Sequence, residues 1–299
     1  MKGADIPFRS GFVAIVGRPN VGKSTLLNRF AGQKVAIVSA KPQTTRHNIR
    51  GIVNREAAQI VFVDTPGIHR PLHLLGQSLL RQAETALQEV DVVVMMADGS
   101  EPPGPGDRIV AELALAAGKP VILALNKVDR GHVTQTRAET YARLGSFADT
   151  LVISAQRGTG CQKLLEAIES RLPEGPHYYD TEEVTDQTLR QLAGEFIREQ
   201  VLRQTEEEVP HSVAVRIDTW TERADGLVAI EATIFVERTS QKGILIGQAG
   251  ARLKEIGIRS REAIEKATGQ KVFLKLWVKV LPNWRRQKAV LARLGYVVE

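Results

Sequence analysis

Gly17-Arg18-Pro19-Asn20-Val21-Gly22-Lys23-Ser24 has the G-x-x-x-x-G-K-[ST] spacing of a phosphate-binding loop. The apolar run Phe12-Val13-Ala14-Ile15-Val16 precedes it, and Thr25-Leu26-Leu27-Asn28-Arg29-Phe30 follows with helical character. Strand, loop and helix in that order are the setting in which the spacing has chemical meaning. The glycines let backbone close around a diphosphate without side-chain clash. N–H groups of the loop, from Gly17 through Val21 and Gly22 to Thr25, then face negative charge. Lys23 can reach the β- and γ-phosphates, and Ser24 can ligate Mg²⁺. A chance turn containing glycines would not bring both flanks.

The same alternation continues to about Leu172. Gln59–Val63, Val90–Ala97, Pro120–Leu125 and Thr150–Ile153 read as buried strands, with Gly51–Asn54 as an added edge strand. Gly76–Gln88, Asp107–Ala117, Gln135–Phe147 and Gly160–Arg171 carry helical period. This predicts an α/β domain with a mainly parallel sheet covered on both faces. Pro173-Glu174-Gly175-Pro176 breaks the last helix. Beyond it the order changes to helix (Thr185–Thr205), two strands (Ser212–Thr219 and Leu227–Glu237), helix (Gly243–Ile246 and Ala251–Ala267), strand (Val272–Val280) and helix (Asn283–Leu294). That order predicts a smaller α+β domain. The expected boundaries are residues 1–175, a linker at 176–185, and 186–299.

Three further motifs follow strands of the first domain. Asp64-Thr65-Pro66-Gly67 suits an Asp that holds Mg²⁺ and a Gly N–H that contacts a γ-phosphate and releases when it is lost. Asn126-Lys127-Val128-Asp129 suits guanine. The Asp129 carboxylate can accept from N1–H and the exocyclic amine, donors that adenine lacks there, so ATP would leave it unpaired. Asn126 would brace neighbouring loops and the Lys127 stem would lie on the base. Ser154-Ala155 is a weaker match for a loop that closes over the base, with the Ala155 N–H toward O6. In Thr44-Thr45-Arg46 a threonine can complete the Mg²⁺ shell. Thr45 is favoured, because families with this T-R ending use the threonine directly before the arginine, and Thr44 stays open.

Ile68 follows Gly67 where Ras-like proteins carry a water-orienting Gln. An apolar side chain cannot orient water, so slow hydrolysis or another catalytic aid is expected. Asn20 resembles an asparagine that ligates K⁺ in some relatives of such proteins, which makes K⁺ a further expected ion. The catalytic set expected is therefore Lys23, Thr45 and Gly67.

The chain of 299 residues is 43% hydrophobic and 25% charged, ordinary for a folded chain. No apolar run reaches the length of a membrane span. Met1-Lys2-Gly3-Ala4-Asp5 lacks the apolar stretch of a signal peptide. Cys161 is the sole cysteine, which rules out an intramolecular disulfide and fits a reducing, cytoplasmic setting. His69 and His73 have no accompanying ligand pattern and read as a solvated loop pair. The net charge is +6, yet Ser240–Glu299 holds 13 Lys and Arg against 4 Asp and Glu. That asymmetry points to a polyanion partner for the C-terminal region, against the plainer reading of a solvated basic helix face.

Within that region Ile246-Gly247-Gln248-Ala249-Gly250 looks like the G-x-x-G loop of a KH domain, which clamps about four nucleotides of single-stranded RNA. Arg252 and Lys254 lie just past it, where they can meet phosphates. The middle residues Gln248 and Ala249 lack the Lys or Arg that many such loops carry.

Taken together, the motifs resemble the Era family of bacterial GTPases over nearly the whole chain. The resemblance includes Gln43-Thr44-Thr45-Arg46-His47, Asp64-Thr65-Pro66-Gly67-Ile68-His69, Leu276-Trp277-Val278-Lys279-Val280, Trp284 and Leu294-Gly295-Tyr296. It implies a monomeric GTPase using GTP/GDP and Mg²⁺, acting in maturation of the 30S ribosomal subunit. It also implies binding near the 3′ end of 16S rRNA, and peripheral contact with the inner membrane. The competing reading is a GTPase switch acting on a protein or membrane partner, with the basic domain as docking surface.

Overall fold

The computed structural model describes residues 7–41, 43–131 and 134–296. Met1–Asp5 lies outside them. The described chain forms two compact units. The first runs to Ala36 and adds Thr45–Arg70 and Leu79–Asp186. The second holds Ile37–Thr44, Pro71–Ser78 and the chain from Gln187.

In the first unit, strands β1 (Arg9–Gly17), β2 (Ile49–Asn54), β3 (Ala58–Asp64), β4 (Val92–Asp98), β5 (Val121–Asn126) and β6 (Asp149–Val152) make one six-stranded sheet of order β2-β3-β1-β4-β5-β6. Only the β2–β3 pair is antiparallel. Helices α1 (Lys23–Phe30), α2 (Leu74–Glu89), α3 (Pro105–Ala116), α4 (Gln135–Ala142) and α5 (Cys161–Glu169) follow the strands in the alternation that the sequence predicts. β3 and β4 are buried along their whole length, as expected of central strands covered on both faces. Because β1 is flanked by β3 and β4, the chain reverses direction across the sheet at the C-terminal end of β1. Open α/β sheets bind ligands at such a point.

Several helix limits differ from the periodicity: one helix begins at Leu189 rather than Thr185, and another at Thr239 rather than Gly243. α4 stops at Ala142 rather than running to Phe147. At Gly145 an added Cβ would lie 2.1 Å from Leu115 Cδ1, so the chain turns tightly against α3 there. The C-terminal segment expected as one helix, Asn283–Leu294, is a single 3₁₀ turn (Trp284–Arg286) and then a short helix. Asn283 sits in the left-handed region (φ 53°) and Gln287 is extended, which breaks the helix at both ends of the turn.

The second unit contains α6 (Leu189–Gln204), α7 (Val209–Ser212), β7 (Ala214–Glu222), β8 (Val228–Val236), α8 (Thr239–Ile246), α9 (Ala251–Thr268), β9 (Val272–Val280) and α10 (Lys288–Arg293). Its sheet has the order β7-β8-β9, with β7–β8 antiparallel and β8–β9 parallel. α6 starts at a capping box, where Thr188 and Gln191 satisfy each other's backbone N–H. The core joins Phe196, Ile197 and Val201 of α6 to Ile230, Ala232 and Ile234 of β8 and Ile256 and Ile264 of α9. Trp284 is fully buried, donates from Nε1 to the Ser212 carbonyl at 2.9 Å and stacks on Tyr296. No helix among the described residues is long and apolar enough to cross a membrane.

Candidate functional site

Gly17 closes β1. A Cβ on it would fall 2.5 Å from the Met96 carbonyl oxygen, so the loop can leave the sheet there only without a side chain. Asn20 and Gly22 both take positive φ (64° and 107°), and a Cβ on Gly22 would lie 2.4 Å from Asn126 Nδ2. α1 then begins at Lys23 with no side-chain cap and no acidic residue in its first turn. Its N–H groups are thus left for an anion. Val21 is buried, and Thr25 follows Ser24 on the first turn of the helix. The Lys23 ammonium is buried and donates to the Gly17 and Arg18 carbonyls, each at 3.1 Å. Burial brings its pKa down to about 8, against the opposing pull of Asp64.

Three oxygens converge beside Lys23. Asp64 Oδ2 accepts from Ser24 at 2.7 Å and from Thr45 at 3.1 Å, and the two hydroxyls are 3.0 Å apart. Asp64 is fully buried. Its other oxygen, Oδ1, has no hydrogen-bond partner, and burial raises its pKa against the pull of Lys23, Ser24 and Thr45. A buried carboxylate with an orphan oxygen and two hydroxyls beside it is a hard, all-oxygen donor set that fits Mg²⁺. The two threonines separate here, since Thr44 Oγ1 instead donates to the Lys41 carbonyl at 2.6 Å.

Gly67 passes against the phosphate loop, where a Cβ would meet Pro19 at 2.9 Å. The Ile68 N–H is tied to the Gly17 carbonyl at 3.1 Å, and its side chain is buried in the core with Ala83 and Val110. Buried and apolar, it has no group with which to orient water.

Asn126 joins the two halves of the nucleotide site. Its Nδ2 donates to the Val21 carbonyl at 2.8 Å, and its Oδ1 accepts from the Ala155 N–H at 2.8 Å. The Ala155 N–H, expected toward guanine O6, thus donates to the buried amide of Asn126, which must be satisfied. Lys127 takes a left-handed conformation (φ 71°) and its ammonium meets Asp98 at 2.7 Å. The Asp129 carboxylate accepts from the buried Ser154 hydroxyl at 2.5 Å, which holds its pKa below the usual carboxylate range.

In the second unit, Ile246 ends α8, and the next four residues turn into α9. Gly247, Ala249 and Gly250 all have positive φ (70°, 49° and 80°), and Gln248 and Ala249 are exposed. A Cβ at Gly247 would lie 2.9 Å from Arg252 Cβ, whereas Gly250 faces open space. Arg252 donates to the Ile244 carbonyl at 2.6 Å and so ties the two ends of the loop together at the surface, and Lys254 is exposed as well. Beside the loop runs a groove of about 410 Å³ between α9 and β9, floored by Leu253, Gly257, Ile258 and Leu276 and rimmed by Lys254 and Arg261.

The description 50S ribosome-binding GTPase fits residues 12–127, and that of a KH domain fits residues 208–285. The chain is 49% identical over 290 residues to GTPase Era of Lactobacillus delbrueckii subsp. bulgaricus, covering 96% of each chain. It is 50% identical over 295 residues to GTPase Era of Nostoc sp., covering 98% of this chain and 91% of the other. The chain belongs to the Era family of GTPases. Among solved structures it is similar to Era in complex with MgGDPNP and nucleotides 1506–1542 of 16S ribosomal RNA, with TM-score 0.94, 39% identity and 97% and 100% coverage. It is also similar to an Aquifex aeolicus Era variant bound to GDP·AlF4⁻, with TM-score 0.90, 39% identity and the same coverages.

Two supporting residues of this Era-family chain escape motif reading. Asp98, at the C-terminal end of β4, anchors Lys127. An acid at the end of a central strand was the available signal. Arg29 donates to the Ala155 and Gln156 carbonyls, each at 2.6 Å, and fixes the loop that carries Ser154. It lies on a helix face with no local signature. The apolar floor of the groove was likewise missed, although Ile258 is an exposed isoleucine beside a helical glycine.

Proposed function

We propose that this chain hydrolyses GTP and binds single-stranded RNA near the 3′ end of 16S rRNA during 30S assembly, more tightly with GTP than with GDP. One observation supports this most. The same chain brings the buried Lys23, Thr45 and Asp64 together with Ser24, holds Asp129 against Ser154, and opens a glycine loop onto an apolar, basic-rimmed groove. A relative with the same fold over the full chain was solved with a GTP analogue and the corresponding rRNA segment.

In this reading, Gly17, Val21, Gly22 and Thr25 present backbone to the phosphates, with Gly67 at the γ-phosphate. Lys23 carries the charge that meets the β- and γ-oxygens. Ser24, Thr45 and Asp64 hold Mg²⁺, which supplies positive charge against the phosphate oxygens. Thr45 is preferred over Thr44 because only Thr45 reaches Asp64. Asp129 reads the guanine edge, Lys127 lies along the base, and Asn126, Ser154 and Ala155 hold those groups in place. With Ile68 buried, Asn20 would hold a K⁺ ion, and that cation would supply the charge that a catalytic side chain supplies elsewhere. The loop Gly247–Gly250 takes the RNA backbone, with Lys254 at phosphate and Arg252 holding the loop. The protein acts as a monomer in the cytoplasm, and peripheral membrane contact rests on the family resemblance alone.

The deciding experiment crosslinks the protein to cellular RNA with GTP and with GDP and sequences the footprint. A footprint at the 16S rRNA 3′ end, stronger with GTP, is expected. A footprint elsewhere, or none, overturns the proposal.

A further inference from the structure

β9 is an edge strand with two working faces. Leu274 and Leu276 point toward α9 and line the groove. The alternate residues Phe273, Lys275, Trp277 and Lys279 point the other way, to solvent. Phe273 is 51% exposed and Trp277 48%, so two large aromatic rings stand in water on one strand face. Their cross-strand neighbours on β8 are Ala229 and Thr233, and on β7 Thr221 and Arg216, which are too small or too polar to cover them.

Cations accompany both rings. The Lys275 ammonium lies 4.7 Å from the Trp277 ring centroid, and the Arg223 guanidinium 5.8 Å from that of Phe273. The two acids on this face are already engaged. Glu231 pairs with Lys275 at 3.4 Å, and Asp218 is held by Arg216 and by the Thr233 hydroxyl. A depression of about 370 Å³ opens beside Phe273, lined by Thr219, Thr221, Arg223, Ala229 and Glu231.

We propose that this solvent face of β9, with Phe273 and Trp277 as stacking surfaces and Lys275, Lys279 and Arg223 as phosphate contacts, is a second RNA-binding surface for the strand that continues past the groove. Exposed rings interleaved with cations take unpaired bases by stacking and the backbone by charge. A protein interface would favour the rings and Arg but disfavour two lysines among them. Continuity supports the same occupant, since Lys275 borders the groove on one side of β9 and pairs with Trp277 on the other. RNA crossing the edge of β9 meets both. The inference rests on the groove binding RNA.

The test compares full-length wild type with the double variant Phe273→Ser/Trp277→Ser. The probes are single-stranded RNAs of about 6 and about 16 nucleotides, because the loop and groove alone span about four. Both rings are half exposed, so thermal unfolding of the variant should stay close to wild type. The expected result is unchanged affinity for the short RNA and a loss of about tenfold or more for the long one. Photocrosslinks at Phe273 and Trp277 should form with the long RNA only. Lys275→Gln/Lys279→Gln should lower the salt slope for the long RNA by about 0.7 per lost phosphate contact. Unchanged long-RNA affinity, or equal losses at both lengths, overturns the second surface. If Gly247→Asp/Gly250→Asp leaves short-RNA binding intact, the groove reading fails instead, and the inference with it.

Discussion

The Ser154 hydroxyl donates to the Asp129 carboxylate across 2.5 Å, joining two loops that lie 25 residues apart in the chain. Ser154 is fully buried, and it also accepts from the Arg157 N–H at 3.0 Å. The residue expected to read guanine is therefore held by its neighbour before any base arrives. Preorganisation of this kind raises affinity by lowering the ordering cost.

Asp129→Asn should lose GTP affinity by about tenfold or more and gain preference for xanthosine triphosphate, because the amide reverses the donor pattern at the base edge. Ser154→Ala should weaken GTP and GDP about equally, with kcat unchanged, since it removes uniform binding. Calorimetry with the three nucleotides checks both. Undiminished GTP affinity in Asp129→Asn would remove the guanine assignment.

The Asp98–Lys127 pair predicts a pH dependence of stability. Burial pushes the Asp98 carboxyl up, but hydrogen bonds from Lys127 and Ser100 outweigh it and leave the pKa below the ordinary 3.8. A carboxylate with a lowered folded pKa stabilises the fold above its unfolded value, and the contribution disappears as pH falls through the folded value. Asp98→Asn should therefore cost about 1 kcal/mol near pH 7, allowing for solvent screening, and progressively less below pH 4. Denaturant titrations at pH 7 and pH 3 measure it. A gap between the proteins that is as large at pH 3 would show that the pair does not carry the difference.

Hydrolysis should depend on the monovalent cation. Ile68 is buried and cannot orient water, so K⁺ should accelerate multiple-turnover GTP hydrolysis over Na⁺ at equal ionic strength, and Asn20→Ala should remove the difference. Equal rates in the two salts would contradict this. Ile68→Gln should not restore a catalytic glutamine. It places an amide in an apolar core at a cost of about 1–3 kcal/mol, which thermal unfolding would detect.

The parts of the site made by backbone were legible in the sequence, because glycine and Asn spacings record where backbone must approach phosphate. Gly17, Gly22 and Gly247 each lack room for a Cβ or take positive φ. Most of the strand and helix order was legible from period and from Pro and Gly breaks, though the short helix α7 was not. What stayed hidden depends on tertiary contact. Arg29 and Asp98 act through loops far along the chain, and the groove exists only when α9 meets β9. The break at Asn283–Gln287 was hidden for the same reason, since the buried Trp284 that it positions bonds to Ser212, 72 residues earlier.

The last prediction concerns RNA and its link to nucleotide. At Gly247 (φ 70°, ψ 179°) the Cβ of Asp would lie 2.9 Å from Arg252 Cβ in a backbone conformation adopted almost only by glycine, a strain of about 1–3 kcal/mol, and the carboxylate would add negative charge against phosphate. Gly247→Asp/Gly250→Asp should therefore lower RNA affinity by tenfold or more on the order-of-magnitude scale of lost backbone contacts, while GTP hydrolysis without RNA stays near wild type. The expected carrier of any coupling lies within the second unit. The buried Arg198 donates to the Thr44 carbonyl and to Glu195, and Glu199 accepts from the Val38 N–H at 3.1 Å, so α6 holds Ile37–Thr44, the segment that leads directly into Thr45. If GTP tightens RNA binding, RNA must tighten GTP by the same factor. Arg198→Met should reduce that factor toward one, with the groove itself intact. Titrating a labelled single-stranded rRNA fragment against the GTP-analogue and GDP forms of wild type and Arg198→Met measures it. A coupling factor that survives in Arg198→Met would remove this carrier. Equal affinities in the two wild-type forms would remove the coupling itself.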